Sequence, residues 1–282
     1  MALTINTNPM SLNSQRNLSI NTSNLSKSME RLSSGYRINR AGDDAAGLQI
    51  SENLRAQVRG SKAALNNVQD GINVLNIADG AMQSITNNLQ RVRELAVQAA
   101  NDTYGTTERT AIAAEITQLA AEITRVSDAT EFNGVNLLDG TAAGGANFTL
   151  QIGPESAAAT NSIDIEALNV FNDIDSTALG VNALSVTNTT NAQAAIASVD
   201  TALGTVNSRR GTIGAVSNRL ESAAQNLMVS IENMSSTESR IRNVDVASES
   251  AELVRHQILQ QASAAMLSQA NQAPGLALSL LG

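Results

Sequence analysis

From Ile196 to Met234 one spacing repeats without a break: 196, 199, 203, 206, 210, 213, 217, 220, 224, 227, 231 and 234. Steps of three and four residues alternate, the repeat of a helix that buries one narrow seam against a partner. Ten of the twelve positions are apolar, the exceptions being Arg210 and Ser217. An α-helix over this span would be roughly 58 Å long, well beyond an ordinary globular helix. Leu203, Ile213, Leu220 and Leu227 are the principal seam candidates. Arg210 either sets the register or snorkels out of the seam. Gly204, Gly211 and Gly214 weaken the helix by about 1 kcal/mol each relative to alanine, and are expected to permit close helix approach.

The rest of the chain carries the same signal. Its prolines are Pro9, Pro154 and Pro274, so two stretches of more than 100 residues lack the residue that breaks helix interiors. Leu65, Val68, Ile72 and Leu75 follow 3-4-3 spacing. The pattern is expected to slip near Ala78, a local realignment of the seam, and to resume at Met82, Ile85, Leu89, Val92 and Ala96. Ile112, Ile116, Leu119, Ile123 and Val126 form a further run, with Thr106 the expected N-cap and Glu108 in the first turn. Near the ends, Leu18, Leu25 and Leu32 recur every seven residues. Val254, Ile258, Ala262 and Met266 recur every four, in a helix expected from Val246 to Ala270. Between about 130 and 190 the pattern changes to turn signals and alternation at Phe148, Leu150, Ile152 and again at Ile163, Ile165, which predicts short strands in hairpins. The fold class is therefore mainly α: a long, coiled-coil-like bundle with N- and C-terminal helices paired, plus a small β-hairpin region near 130–190.

Composition narrows the function. Two Tyr, three Phe and no Trp leave Ala, Leu, Ile and Val to fill the core, which favours thin, closely packed helices. A net charge of -8 argues against a general basic surface for nucleic acid. No cysteine and a single histidine, His256, exclude thiol nucleophiles, thiolate metal sites and the HExxH protease motif. No phosphate-loop or dinucleotide fingerprint is present, and no run of 18 apolar residues marks a membrane span. No cofactor, metal site or catalytic residue is expected. The N-terminal residues do not have the pattern of a general secretory signal peptide. His256 is expected to make a partly exposed hydrogen bond on the last helix. Asp43 and Asp44 are adjacent, so they cannot face one another on a helix; a cap and first-turn role is expected.

Several segments resemble the bacterial flagellins. LSSGYRINRAGDDAAGLQISENLRAQVRG from Leu32 is similar to that family's N-terminal signature, and QRVRELAVQAAN from Gln90 to its internal motif. FNGVNLLDG from Phe132 resembles the stretch before its variable region. GAVSNRLESAAQNL, SRIRNVDVASESAEL and ILQQASAAMLSQANQ resemble its C-terminal signature. The likeness covers about residues 1–140 and 190–282.

The resemblance implies a subunit that polymerises with itself into the flagellar filament for motility. It implies export in an unfolded state by the flagellar type III apparatus, an extracellular location, and contacts with a cap protein, junction proteins and an export chaperone. A hook-filament junction protein is the alternative. The implied organisation is a terminal helical domain at 1–44 and 240–282 lining the filament core, a helical rod at 45–140 and 190–239, and a short variable region at 141–189 facing solvent. Ser and Thr of that last region are candidate acceptors for O-linked sugars. Leu18, Leu25, Leu32, Val254, Ile258 and Met266 would form the terminal polymerisation surface. Gln90, Arg91, Leu95 and Glu115 match positions through which some flagellins contact the Toll-like immune receptor, on a face expected to lie between subunits. The excess of 16 Arg over 2 Lys suits interface chemistry. The terminal segments are expected to be disordered in the free subunit and to become helical on assembly.

Overall fold

The computed structural model describes residues 7–140, 148–165 and 170–279. The elements in chain order are α1 (Pro9–Ser34), α2 (Ala45–Ala99), α3 (Thr106–Ala129), β1 (Glu131–Phe132), β2 (Val135–Asn136), β3 (Thr149–Gln151), α4 (Ala158–Asn161), β4 (Ser162–Asp164), α5 (Thr189–Arg242) and α6 (Val246–Ser279). Two compact units divide the chain. Unit 1 is Met1–Ala56 with Asn233–Gly282; unit 2 is Gln57–Glu232.

Unit 2 has one continuous apolar core. Val68, Leu75, Met82, Ile85, Leu89, Val92 and Ala96 enter it from α2, Ile112, Ile116 and Ile123 from α3, and Val199, Val206, Ile213 and Leu220 from α5. On α2 the buried row runs through Val68, Gly71, Leu75, Ala78, Met82 and Ile85 in unbroken 3-4 alternation, with Ile72 half-buried beside it, so the expected slip does not occur. Glycine and alanine hold the register there.

On α5 the seam is rotated from its expected register. Val199, Val206, Ile213 and Leu220 are buried as expected, but their companions are Ala195, Ala202 and Val216. Ile196, Leu203, Ala224 and Leu227 are half-buried at the margin of the core. This one-residue offset explains Arg210 and Ser217, which flank the seam. Arg210 Nε donates to Asp79 Oδ1 at 2.8 Å, a half-exposed ion pair to α2.

The expected glycine contacts also lie elsewhere. A Cβ at Gly204, Gly211 or Gly214 would meet nothing within 4 Å. On α2, a Cβ at Gly71 would lie 2.3 Å from Leu150 Cδ1, and one at Gly60 2.8 Å from Pro154 Cβ. Glycine there lets the segment around β3 lie directly on the helix.

The β region caps this core. Asn133 (φ 53°) and Gly134 (φ 77°) form the two-residue loop between β1 and β2, the left-handed pair that suits the twist of a hairpin. β3 pairs antiparallel with β4, Leu150 opposite Ile163. Leu137, Leu138, Ile165 and Phe171 are fully buried, and Phe171 meets Phe148 edge to face at 5.2 Å. Arg209 holds the segment in place by donating to the carbonyls of Asn172 and Asp173 at 2.5 and 3.0 Å. Residues 141–147 and 166–169, part of the variable region expected at 141–189, lie outside the described residues.

The N-cap of α3 is Gly105, not Thr106, and no side chain caps it. Thr106 is the first helical residue, where its carbonyl accepts from Thr110 Oγ1. The turn before α3 is tied by Arg109, which donates to the carbonyls of Ala99 and Asn101, to Asp102 and to Thr189.

Candidate assembly surface

In unit 1, α1 and α6 pair side by side. Asn8 caps α1, its Oδ1 accepting from Ser11 N at 3.1 Å, and Pro9 begins the helix without needing a donor. Gly35 ends it at φ 75°, donating to the carbonyl of Arg31. Asp245 caps α6, accepting from Ala247 N and Ser248 N. Asp44 caps α2 through Gly47 N at 2.8 Å. Its neighbour Asp43 accepts from Asn39 N and Arg40 N, and from Lys27 Nζ at 2.7 Å. That Lys27 bond, with the two backbone donors, lowers the Asp43 pKa from 3.8 to about 2.

The linkers beside these helices are joined. Tyr36 bridges to Asn243 antiparallel, Arg37 N donates to the carbonyl of Arg242, and Val244 N donates to that of Gly35. The Arg242 guanidinium lies 4.7 Å from the Tyr36 ring centroid and pairs with Glu52.

The face between α1 and α6 is largely polar. Asn8 Nδ2 donates to the Ala270 carbonyl at 2.7 Å, Ser11 Oγ to Asn271 Oδ1 at 2.7 Å, and Asn21 Nδ2 to Ser263 Oγ at 2.9 Å. Gln260 reaches Thr22, and Arg31 reaches Glu249 at 3.5 Å. Cα atoms of the two helices approach within 8 Å, which serine and alanine in the seam allow.

The terminal residues expected at the polymerisation surface separate into two groups. Leu25 is buried, and Leu18 and Leu32 are half-buried, within unit 1 itself. Val254, Ile258 and Met266 are 51%, 59% and 57% exposed. Steps of four on a 3.6-residue helix rotate by about 40° each, so the row from Val254 to Met266 winds away from the partner. The residues of α6 that face inward are Glu249, Leu253, His256, Gln260, Ser263, Leu267 and Ala270, in 4-3 alternation. On α1, Met10, Leu12, Ile20 and Met29 also stay exposed.

His256 departs from its expected role. Its Nδ1 is buried without a hydrogen-bond partner among the described residues, and Nε2 stands 3.7 Å from Glu252. Among the described residues no group of three His, Cys, Asp or Glu could hold a metal ion, and no helix is long and apolar enough to cross a membrane.

The second expected surface lies in unit 2. Gln90 and Arg91 are exposed on α2. Arg91 Nη2 and Nε donate to Glu115 Oε1 on α3 at 2.9 and 3.1 Å, and Nη1 donates to Glu94 at 3.1 Å. Arg93 Nε donates to Asp200 on α5 at 2.6 Å. Glu115 and then Glu94 raise the Arg91 pKa, as Asp200 raises that of Arg93. Leu95 does not share this surface. It is 2% exposed and belongs to the core of unit 2, because it points inward beside the buried Ala96.

Capped helices with apolar rows left uncovered are the build of a structural subunit that works through contact. The family model described as "Bacterial flagellin N-terminal helical region" matches residues 5–143, and "Bacterial flagellin C-terminal helical region" matches 196–281. The flagellin of Halalkalibacterium halodurans is 46% identical over 98% of this chain and 99% of its own length. That of Bacillus subtilis is 45% identical with the same coverage. The crystal structure of Bacillus cereus flagellin matches with a TM-score of 0.50 at 32% identity, over 57% of this chain and 88% of that one. The chain belongs to the bacterial flagellin family, the structural subunits of the flagellar filament.

Proposed function

We propose that this flagellin adds to the filament through the apolar rows that α1 and α6 leave open. The observation that carries this reading is the exposure of Val254, Ile258, Leu259 and Met266 on a helix already paired by another face. Isolated apolar side chains are common on surfaces, but a row along one helix needs a partner. Neighbouring copies of the chain are that partner. In this reading the terminal helices line the filament core; within 141–189, Ile163, Ile165, Phe171, Ile174, Val181 and Val186 are buried in unit 2, so the exposed residues of that region are the ones left to face solvent. Arg91, Glu115 and Gln90 lie at a contact between subunits in this reading, and a Toll-like receptor would meet the same face on a released monomer. Export through the flagellar type III apparatus, an extracellular location, and contacts with chaperone, cap and junction proteins complete the proposal.

Seeded growth tests it. An Ile258→Asp chain should keep the circular dichroism of the wild-type soluble chain and fail to extend filament seeds. Wild-type growth by this variant would refute the role of the α6 row.

A further inference from the structure

The chain has no cysteine, so its seven methionines are its only sulfur. Their surroundings differ sharply. Met82 is fully buried in the core of unit 2, whereas Met10, Met29, Met228 and Met266 are at least half exposed. Two of these four share one place. Met10 of α1 and Met266 of α6 line a single groove of about 320 Å³ in unit 1, together with Leu259 and Ala262 and flanked by Asn13 and Asn17. Thioethers suit such a groove, because they are flexible and polarizable enough to fit an incoming apolar surface.

The same sulfurs are the groove's chemically vulnerable atoms. A hydroperoxide transfers one oxygen to a thioether: the O–O bond breaks, an S–O bond forms, and sulfur loses two electrons. The peroxide is reduced to water or an alcohol. The product replaces an apolar side chain with a strongly polar acceptor. Burying that acceptor without a donor costs the desolvation of the group.

We propose that Met10 and Met266 form an oxidation-sensitive site that controls whether a soluble subunit can assemble. Reduced, the pair presents apolar surface to the next copy of the chain. Oxidised by a hydroperoxide, it presents two sulfoxides and the subunit is not added. Once the subunit is in the filament, the neighbouring copy covers both sulfurs and shields them. Sulfoxide formation is reversible by methionine sulfoxide reductases. This inference rests on the assembly reading above.

The test treats full-length protein with hydrogen peroxide, once as soluble chain and once as filament. Peptide mass spectrometry then maps the added oxygen, with Met82 as the internal reference. In the soluble chain Met10 and Met266 should oxidise about tenfold faster than in the filament, and Met82 should stay reduced in both. Oxidised soluble chain should extend seeds about tenfold more slowly, and reductase treatment should restore growth. A Met10→Leu, Met266→Leu chain should grow equally well before and after peroxide. If this variant assembles poorly untreated, a Met29→Leu, Met228→Leu chain decides the matter: it should still lose growth after peroxide and regain it with reductase, and growth unaffected by peroxide would overturn the proposal. Oxidised wild type that grows at the untreated rate, or equal oxidation of the two sulfurs in filament and soluble chain, would overturn the proposal. Failure of untreated wild type to extend seeds would refute the assembly reading instead, and this inference with it.

Discussion

Leu220→Ala is the most direct test of the α5 seam. Leu220 is fully buried in the core of unit 2, one heptad after Ile213. The substitution removes three carbons, and about 0.8 kcal/mol per buried methylene gives about 2.4 kcal/mol for transfer alone. A cavity term adds to this, because close-packed helices collapse only partly, and leucine-to-alanine changes in cores cost about 2.7–5 kcal/mol in total. Leu227, one heptad on, is half-buried at the core's margin. Its truncation forfeits less area and leaves no closed cavity, so about 1 kcal/mol is expected. The assay is urea unfolding of full-length variants, with hydrogen exchange reporting the α2 and α5 amides of unit 2. An unchanged denaturant slope would show that the native state, not the unfolded ensemble, was altered. Equal costs at the two positions, or a cost below about 0.5 kcal/mol at Leu220, would refute the observed register.

Other outcomes follow from the surface and the termini. Arg91→Ala should leave the stability of the soluble chain almost unchanged, because its ion pairs are exposed, yet slow seeded growth. Leu95→Ala should instead lower the melting temperature of the soluble chain, which calorimetry would detect. Asp43 is held ionised in the fold, so its contribution is complete above the ordinary carboxylate range and is lost as pH falls from 3.8 toward about 2. Acid titrations of wild type and Asp43→Asn should therefore converge at the acid end; parallel curves would contradict this. The α1 and α6 amides should exchange quickly in the soluble chain, where a narrow seam with few fully buried apolar side chains holds them, and slowly in the filament. Strong protection in a verified monomer would show that the pair is stable alone.

Much of the fold was legible in the spacing of large apolar residues. Ile112, Ile116 and Ile123 on α3 and the shared positions 199, 206, 213 and 220 on α5 are buried as their period requires. Leu150 and Ile163 lie on short strands, as their alternation predicted, and the structure pairs them. The errors have a common cause. Ala78, Ala195 and Ala202 carry the register of α2 and α5, but alanine is too weakly apolar to stand out in a pattern. The α1–α6 seam mixes leucines (Leu18, Leu25, Leu253, Leu267) with serine, asparagine, glutamine and histidine, so on α6 the row of apolar residues spaced by four lies on the outward face instead.

Sequence alone determined that the chain forms long helices, where they are interrupted, and which family it belongs to, because propensity, caps, heptad spacing and local motifs are written in neighbouring residues. Tertiary structure alone decided which side of each helix faces inward. Leu95 and Arg91 are four residues apart on one helix, yet one lies in the core and the other pairs with Glu115 on α3. Burial depends on what another segment places opposite a residue. For α6 that segment is α1, more than 200 residues away in the chain, and the hydrogen bonds between their polar side chains carry no apolar period.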